Sequence, residues 1–157
     1  MFHFLIAVLC FMPFISGKCA KDGVKWQNQC YTFVSKPAQC DAAEMDCKSK
    51  GGHLVSIHDG FANTFLIQQS KIKFINATEV WIGATNSLTF KDSDIMDGQF
   101  MWMDGTDMDY LNWYGYGTRK WAPNGVACGF LRLVDSRWDS EDFHYDYPYI
   151  CEISEIN

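Results

Sequence analysis

The sequence lacks the short motifs that mark common hydrolases and metal sites. It contains no Cys-x-x-Cys pair, no His-Glu-x-x-His run and no Gly-x-Ser-x-Gly nucleophile elbow. Cys128 with His144, or Ser136 with His144 and Asp142, supply residue types that nucleophilic catalysis uses, but no flanking signature marks either set. These absences favour a protein that is not an enzyme.

Positive charge is also scarce. The 157 residues include 13 Lys and Arg against 19 Asp and Glu, which gives a formal net charge of −6. Nucleic acids and anionic membranes attract basic surfaces. The acidic balance therefore argues against both as partners.

The first 17 residues have no Lys, Arg, Asp or Glu. They are rich in Phe, Leu, Ile and Val and end in Ser16-Gly17, a pattern typical of a secretory signal peptide. The apolar run is short and is interrupted by Pro13, and no second run follows it, which disfavours a membrane span. We therefore predict a signal peptide at residues 1–17 and one secreted domain at residues 18–157.

Removal of that leader would also remove Cys10 and leave an even set of cysteines. The remaining six are Cys19, Cys30, Cys40, Cys47, Cys128 and Cys151. An even set in an oxidising compartment predicts three disulfides, and the histidines do not cluster near a cysteine pair as a zinc site would require. Many pairings of six cysteines are possible, and the sequence alone does not choose among them.

The pattern of apolar residues predicts two helices and several short strands. The first helix is expected over Cys40–Lys50, where β-branched residues are absent, and the second is expected to begin after Asp59 and reach Ile72. Strands are expected within 24–34, 54–57, 80–83, 99–102, 128–133 and 147–151. This order predicts an α+β domain with an antiparallel sheet. Four residues are expected to share one core cluster: Leu54, Trp81, Trp102 and Ile150.

The stretch from Asp104 to Val126 has little hydrophobic periodicity and is too long for a passive connection. It carries five aromatic residues: Tyr110, Trp113, Tyr114, Tyr116 and Trp121. So much ring surface argues against disorder, because it would not stay solvated. Trp113 is expected to hold the loop on the core, and the other candidates for a contact surface are Tyr114, Tyr116 and Trp121.

Several segments in a fixed order carry a resemblance to a known family. They are Cys47 to Ile57, Trp81-Ile82-Gly83-Ala84, Gly98 to Gly105, Asn112-Trp113, Trp138-Asp139-Ser140 and Tyr149-Ile150-Cys151-Glu152. On these segments, which span nearly the whole chain after residue 29, the sequence resembles the C-type lectin domain. The resemblance implies a disulfide-stapled α+β fold, with two helices flanking antiparallel sheets and a long ligand-binding loop. It also implies a secreted recognition domain.

Family members that bind sugar through calcium have Glu-Pro-Asn or Gln-Pro-Asp in this loop, a further Glu, and Trp-Asn-Asp in the next strand. This chain instead has Ala122-Pro123-Asn124 and Trp138-Asp139-Ser140, and the second Glu is absent. Asn124 and Asp139 still match calcium-ligand positions, whereas Ser140 offers a neutral hydroxyl. Calcium needs several charged oxygen ligands, so the resemblance implies a degenerate site at which calcium is possible but not required.

A second acidic group flanks the expected strand at 99–102. Its members are Asp92, Asp94, Asp97, Asp104, Asp107 and Asp109. Their spacing does not match an EF-hand loop, so we interpret them as turn-forming and solubilising residues.

Two functions remain open at this point. The first is carbohydrate binding on glycoconjugates, with calcium optional, through Tyr114, Tyr116, Trp121, Asn124, Asp139 and Ser140. The second is calcium-independent binding of a protein surface by the same loop. The missing carboxylates favour the second function, and the retained aromatic and amide residues favour the first.

The resemblance also implies two disulfides, Cys19 to Cys30 and Cys47 to Cys151. The third family bridge would join Cys128 to the position that Phe143 occupies here, so Cys128 lacks its usual partner. Cys40 stands where the family commonly has Trp, and we predict that it pairs with Cys128. The alternative is an exposed Cys128 that links two chains.

Asn76-Ala77-Thr78 is the only Asn-x-Ser/Thr sequon in the chain. It lies between the second predicted helix and the strand around Trp81, where an exposed turn is expected. We predict N-glycosylation of Asn76 when a host that attaches N-glycans secretes the protein.

Overall fold

The structure is a computed structural model that describes residues 19, 22–86, 100–115 and 126–153. Its elements in chain order are β1 (Val24–Trp26), β2 (Gln29–Ala38), α1 (Cys40–Ser49), β3 (Gly52–Leu54), α2 (Gly60–Lys73), β4 (Glu79–Thr85), β5 (Met101–Trp102), β6 (Ala127–Arg132), β7 (Trp138–Asp142) and β8 (Tyr147–Ile153). The predicted α+β class is confirmed, since both helices flank one sheet.

Helix α1 presents a narrow apolar side to the sheet. Cys40, Ala43 and Cys47 follow one another at helical spacing and are fully buried. The helix ends as predicted before Gly51, whose φ of 85° lies in the left-handed region that glycine adopts without strain.

Helix α2 begins with a side-chain cap. The Asp59 carboxylate accepts hydrogen bonds from the backbone N–H groups of Phe61 at 2.8 Å and Ala62 at 2.7 Å, as the sequence predicts. Ala62, Leu66 and Ile67 then face the core. Across the described part of the chain, no helix has the length and apolar character needed to cross a membrane.

The sheet has the strand order β1-β2-β8-β4-β6-β7, with β3 added to β8 and β5 added to β4. Almost every pairing is antiparallel, as predicted. Among the named strands of the described residues, the exception is β4 against β8, which run parallel where Trp81 lies beside Tyr149, so the sheet is mixed. The final strand is central because it contacts β2, β3 and β4.

The strand expected at residues 54–57 lies two residues earlier. β3 covers Gly52–Leu54 and pairs with β8, with Gly52 opposite Ile153. Gly52 is pressed against the backbone of β8 so closely that a Cβ atom would overlap the carbonyl oxygen of Glu152. Val55, the residue after the strand, is buried, and its N–H donates to the carbonyl oxygen of Ile150 at 2.9 Å.

Both faces of the sheet are buried, and this divides the core in two. One cluster, on the α2 side, contains Trp102 and Ile150, and the other, on the α1 side, contains Leu54 and Trp81. The expectation that these four residues share one cluster is therefore wrong. Successive side chains of a strand point to opposite faces, so adjacent apolar residues of a strand enter different clusters.

Three disulfides tie the helices and strands together. Their Cα atoms are 5.4 Å apart for Cys19–Cys30, 6.5 Å for Cys40–Cys128 and 5.3 Å for Cys47–Cys151. The pairing agrees with the one expected from the sequence, including the bridge from Cys40 to Cys128. Because Cys128 is buried and bridged within the chain, it offers no thiol for a link to a second chain or for nucleophilic catalysis.

Candidate functional site

The first part of the long loop is fastened to β7 by backbone hydrogen bonds. The N–H of Trp138 donates to the carbonyl oxygen of Asn112 at 2.9 Å, and the N–H of Tyr114 donates to the carbonyl oxygen of Trp138 at 2.6 Å. The Trp113 ring contacts the rings of Trp138 and Phe100, with centroids 5.6 and 4.7 Å apart. Trp113 therefore holds the loop on the core, as its position in the sequence suggests.

The described part of the loop ends at residue 115 and resumes at residue 126. Of the predicted site residues, Tyr114, Asp139 and Ser140 lie in the described part, and Tyr116, Trp121 and Asn124 lie outside it. Tyr114 lies beside β7 because its N–H donates to Trp138, and β7 carries Asp139 and Ser140.

Asp139 is buried, with 7% of its surface exposed, and its carboxylate already has two partners. One oxygen accepts a hydrogen bond from the backbone N–H of Ser140 at 2.9 Å. The other lies 3.4 Å from the Arg132 guanidinium, which forms an ion pair with it. Ser140 is 2% exposed, so neither residue presents much side-chain surface to a ligand.

Arg132 is the centre of a small cluster that we call the Arg132 cluster, formed by Arg132, Tyr114, Asp135 and Asp139. Its guanidinium lies 3.1 Å from the Asp135 carboxylate and 3.8 Å from the centroid of the Tyr114 ring. The tyrosine ring is 45% exposed. The cluster thus combines a cation, the Asp135 carboxylate and a partly exposed aromatic ring with the buried Asp139, so stacking and hydrogen bonding to a ligand are both possible.

Arg132 is not among the site residues predicted from the sequence, because the sequence does not reveal the register between β6 and β7. In the structure Phe130 pairs with Asp139, and Arg132 is two residues further along β6 on the same face. Such diagonal neighbours lie within reach of a long side chain. One sequence feature does point to Arg132. It is a basic residue on the predicted strand that follows Cys128, next to the segment that carries Asp139.

The described residues do not fit a calcium ion well. Asp139 is occupied by a guanidinium and a backbone N–H group, and within the described ranges no group of three or more His, Cys, Asp and Glu side chains is arranged to hold a metal. Calcium needs several oxygen atoms that converge on one point.

Two described members of the second acidic group, Asp104 and Asp109, have hydrogen-bond partners within the protein. Asp104 accepts hydrogen bonds from the N–H of Thr106 at 2.9 Å and from its hydroxyl at 2.6 Å. An oxygen of the Asp109 carboxylate lies 2.7 Å from Nδ1 of His58. This hydrogen bond holds the pKa of the Asp109 carboxyl below its usual range. The contacts between Asp104 and Thr106 agree with the turn-forming role, whereas the contact of Asp109 is with a residue distant in the sequence. Asp92, Asp94 and Asp97 lie outside the described residues.

A polar cleft on the β3 side of the sheet was not anticipated from the sequence. It encloses about 440 Å³ and is lined in part by Lys48, His53, Asp104 and Glu152. Burial, and then the charge of Asp104, raise the pKa of Glu152 to about 7. No short motif marks these residues. The pairing of β3 with β8 places His53 opposite Glu152, and Lys48 and Asp104 come from α1 and from the segment after β5.

Comparison with protein families matches residues 36–153 to the family described as Lectin C-type domain. A protein named "Lectin" from Pleurodeles waltl is 28% identical over 149 residues, which cover 88% of this chain and 80% of that protein. The low affinity immunoglobulin epsilon Fc receptor of Mus musculus is 35% identical over 134 residues, which cover 85% of this chain but 37% of the receptor. The chain thus spans little more than a third of that relative.

Two solved structures show the same fold. C-type lectin CEL-I from Cucumaria echinata has a TM-score of 0.76 at 21% identity, with 88% of this chain and 99% of that chain covered. A calcium-independent type II antifreeze protein has a TM-score of 0.68 at 27% identity, with 89% of this chain and 97% of that chain covered. The fold predicted from the resemblance is confirmed.

Proposed function

Because the chain belongs to the C-type lectin domain family, we propose that it is a secreted, non-enzymatic recognition domain that binds carbohydrate on glycoconjugates without requiring calcium. The proposed contact surface is the Arg132 cluster together with the long loop. Secretion rests on the signal peptide predicted at residues 1–17, and the glycan ligand rests on the family and on its lectin members.

The ion pair between Arg132 and Asp139 is the observation that carries calcium independence. Asp139 is the one carboxylate within Ala122-Pro123-Asn124 and Trp138-Asp139-Ser140, the two segments that match the family's calcium motifs, and it is buried against the guanidinium at 3.4 Å. A calcium ion at this carboxylate would have to displace Arg132 or lie beside its positive charge. Displacement gives up the ion pair between Arg132 and Asp139, and a calcium ion beside the guanidinium is repelled by its like charge.

A glycan would then be held by stacking and hydrogen bonds. The ring of Tyr114 is partly exposed and has the Arg132 guanidinium over it at 3.8 Å, which fixes the ring's orientation. We propose Tyr116, Trp121 and Asn124 as further contacts from the loop. The buried pair Asp139 and Ser140 then supports the surface by holding Arg132 and the start of β7 in place.

Binding of a protein ligand is the second candidate. Arg and Tyr side chains are enriched at the centres of protein interfaces, and the Arg132 cluster presents both. Leu111 adds an exposed apolar side chain a few residues earlier in the loop. A relative named as an immunoglobulin receptor shows that this family includes a protein with a protein ligand.

Thermal melts with calcium and with a chelator test the calcium claim. The wild-type protein is expected to melt at the same temperature in both, because a ligand that does not bind the folded state cannot stabilise it. Asp139→Asn and Arg132→Gln are compared with Arg137→Gln, an exposed control on the neighbouring turn. A calcium-dependent rise of several degrees that Asp139→Asn abolishes would refute calcium independence.

A glycan array with and without chelator tests the ligand class. Binding that persists in chelator and is lost in Tyr114→Ala supports the proposal, with Tyr145→Ala as a matched control because Tyr145 is also exposed but lies on the turn before β8. A glycoprotein ligand that still binds after enzymatic removal of its glycans would instead favour the second candidate.

A further inference from the structure

A second groove lies where the turn after α2 meets the end of β2 and the start of β8. It encloses about 320 Å³, which is within the size range of small-ligand sites. Its lining includes Pro37, Ile75, Asn76, Ala77, Tyr147 and Pro148. None of these residues belongs to the Arg132 cluster or to the long loop, so the proposed function leaves the groove without a role.

Asn76, the acceptor residue of the sequon, forms part of the wall of this groove. It is exposed and has a φ of 67°, in the left-handed region that asparagine tolerates better than most residues. The turn geometry alone would explain an asparagine here, but it would equally accept glycine or aspartate. The hydroxyl residue two positions later, Thr78, is what a glycosylation acceptor requires in addition.

Ile75 gives the groove an unusual apolar wall. Its side chain is 87% exposed although it is flanked by Phe74, which is buried, and by Asn76. Pro37, Tyr147 and Pro148 add apolar surface nearby. Exposed apolar surface that lines a concave site usually marks a place that another molecule covers.

We propose that Asn76 carries an N-linked glycan and that the first sugar rings of this glycan lie in the groove and cover Ile75. A sugar ring has apolar C–H faces and polar edges, so it matches a groove with proline, isoleucine and tyrosine walls and an asparagine rim. Covalent attachment at the rim keeps the sugar at a high effective concentration, so even weak contacts with the groove are occupied. The proposal rests on the secretion included in the proposed function.

The modification transfers an oligosaccharide from a lipid diphosphate donor in the host's secretory compartment. The Nδ2 atom of Asn76 forms a bond to the anomeric carbon of the first sugar, the bond from that carbon to the diphosphate breaks, and the Nδ2 atom loses one proton. The oligosaccharide is attached to the unfolded or folding chain and remains on Asn76 afterwards. The folded protein must therefore leave the Asn76 side chain open to solvent. The structure meets this requirement.

The first experiment expresses the full chain in a eukaryotic secretory host and compares gel mobility in medium and cell extract before and after N-glycosidase treatment. Wild type and Thr78→Ser, which keeps the sequon, are expected to shift, and Thr78→Ala is expected not to shift. Wild type that reaches the medium with unchanged mobility overturns the modification, whereas unmodified wild type confined to the extract overturns the secretion on which the proposal rests. A glycosylated protein that stays in the extract refutes efficient secretion but not the modification, so the two failures are distinguishable.

The second experiment tests occupation of the groove by a double-mutant cycle. Ile75→Ser is expected to lower the melting temperature of the glycosylated protein by about 2–4 °C and to leave that of the unglycosylated Thr78→Ala protein unchanged, since an uncovered side chain contributes little. The control is Ile72→Ser on α2, because Ile72 is 69% exposed and does not line the groove. Equal effects of Ile75→Ser in both backgrounds overturn the seating of the glycan.

Discussion

Removal of the bridge between Cys40 and Cys128 should destabilise the protein more than removal of the bridge between Cys19 and Cys30. The first pair closes a loop with a sequence separation of 88 residues, and the second closes one of 11 residues. In the chain-entropy account these loops correspond to about 4.6 and about 2.8 kcal/mol at 25 °C, because a longer loop restricts the unfolded chain more strongly. At about 3 °C per kcal/mol for a domain of this size, the expected losses in melting temperature are about 14 and about 8 °C.

The assay is calorimetry of the secreted protein, with Cys40→Ala/Cys128→Ala compared with Cys19→Ala/Cys30→Ala. Peptide mapping without reduction of the wild type should find the Cys40 and Cys128 peptides joined within one chain. The reasoning is refuted if the first double variant melts within a few degrees of wild type, or if a non-reducing gel shows a dimer linked through Cys128.

Three further predictions concern single side chains. Trp81→Ala should cost about 3–5 kcal/mol by chemical denaturation, because the indole is fully buried, and a loss below about 1 kcal/mol would contradict its core placement. The folded state raises the pKa of the Glu152 carboxyl to about 7 and so binds the proton more tightly than the unfolded chain, so the wild type should lose stability as the pH rises from 4.5 towards 7. Glu152→Gln should remove this pH-dependent loss. Melting temperatures measured across that pH range check the prediction, and parallel curves for the two proteins would contradict it. Gly83→Ala should cost about 1–3 kcal/mol, because a Cβ atom there would lie 2.5 Å from the carbonyl oxygen of Leu54, whereas Gly60→Ala, whose Cβ would meet nothing closer than 3.7 Å, should be nearly neutral in the same denaturation assay.

The helices could be predicted from the sequence because their signals are local. Asp59 stands at the start of α2 and Gly51 stops α1, and each acts through atoms within a few residues of its own position. The division of the core could not be predicted in the same way. Whether Trp81 and Ile150 share a face depends on how β4 pairs with β8, and that register is set by residues far apart in the sequence.

Strand β7 also could not be predicted from its own residues. Between Trp138 and Asp142 it contains Asp139, Ser140 and Glu141, residue types that disfavour strands, so its apolar pattern does not mark it. It is a strand because β6 pairs with it along five consecutive residues. The resemblance to a family located the segment, whereas the local propensity of its residues did not.

The charge at this strand connects the missing carboxylates with Arg132. A calcium site built from several carboxylates concentrates negative charge and is stable only with a divalent ion bound. This chain keeps one carboxylate at the matching positions, and the neighbouring strand supplies one positive charge 3.4 Å away. Arg132, which also pairs with Asp135, thus offsets part of the charge of Asp139 from within the protein. The β6–β7 register that places Arg132 diagonally from Asp139 also holds its guanidinium over Tyr114. The same ion pair thus supports the proposed independence from calcium, and it holds Arg132 over the exposed ring that we propose contacts the ligand.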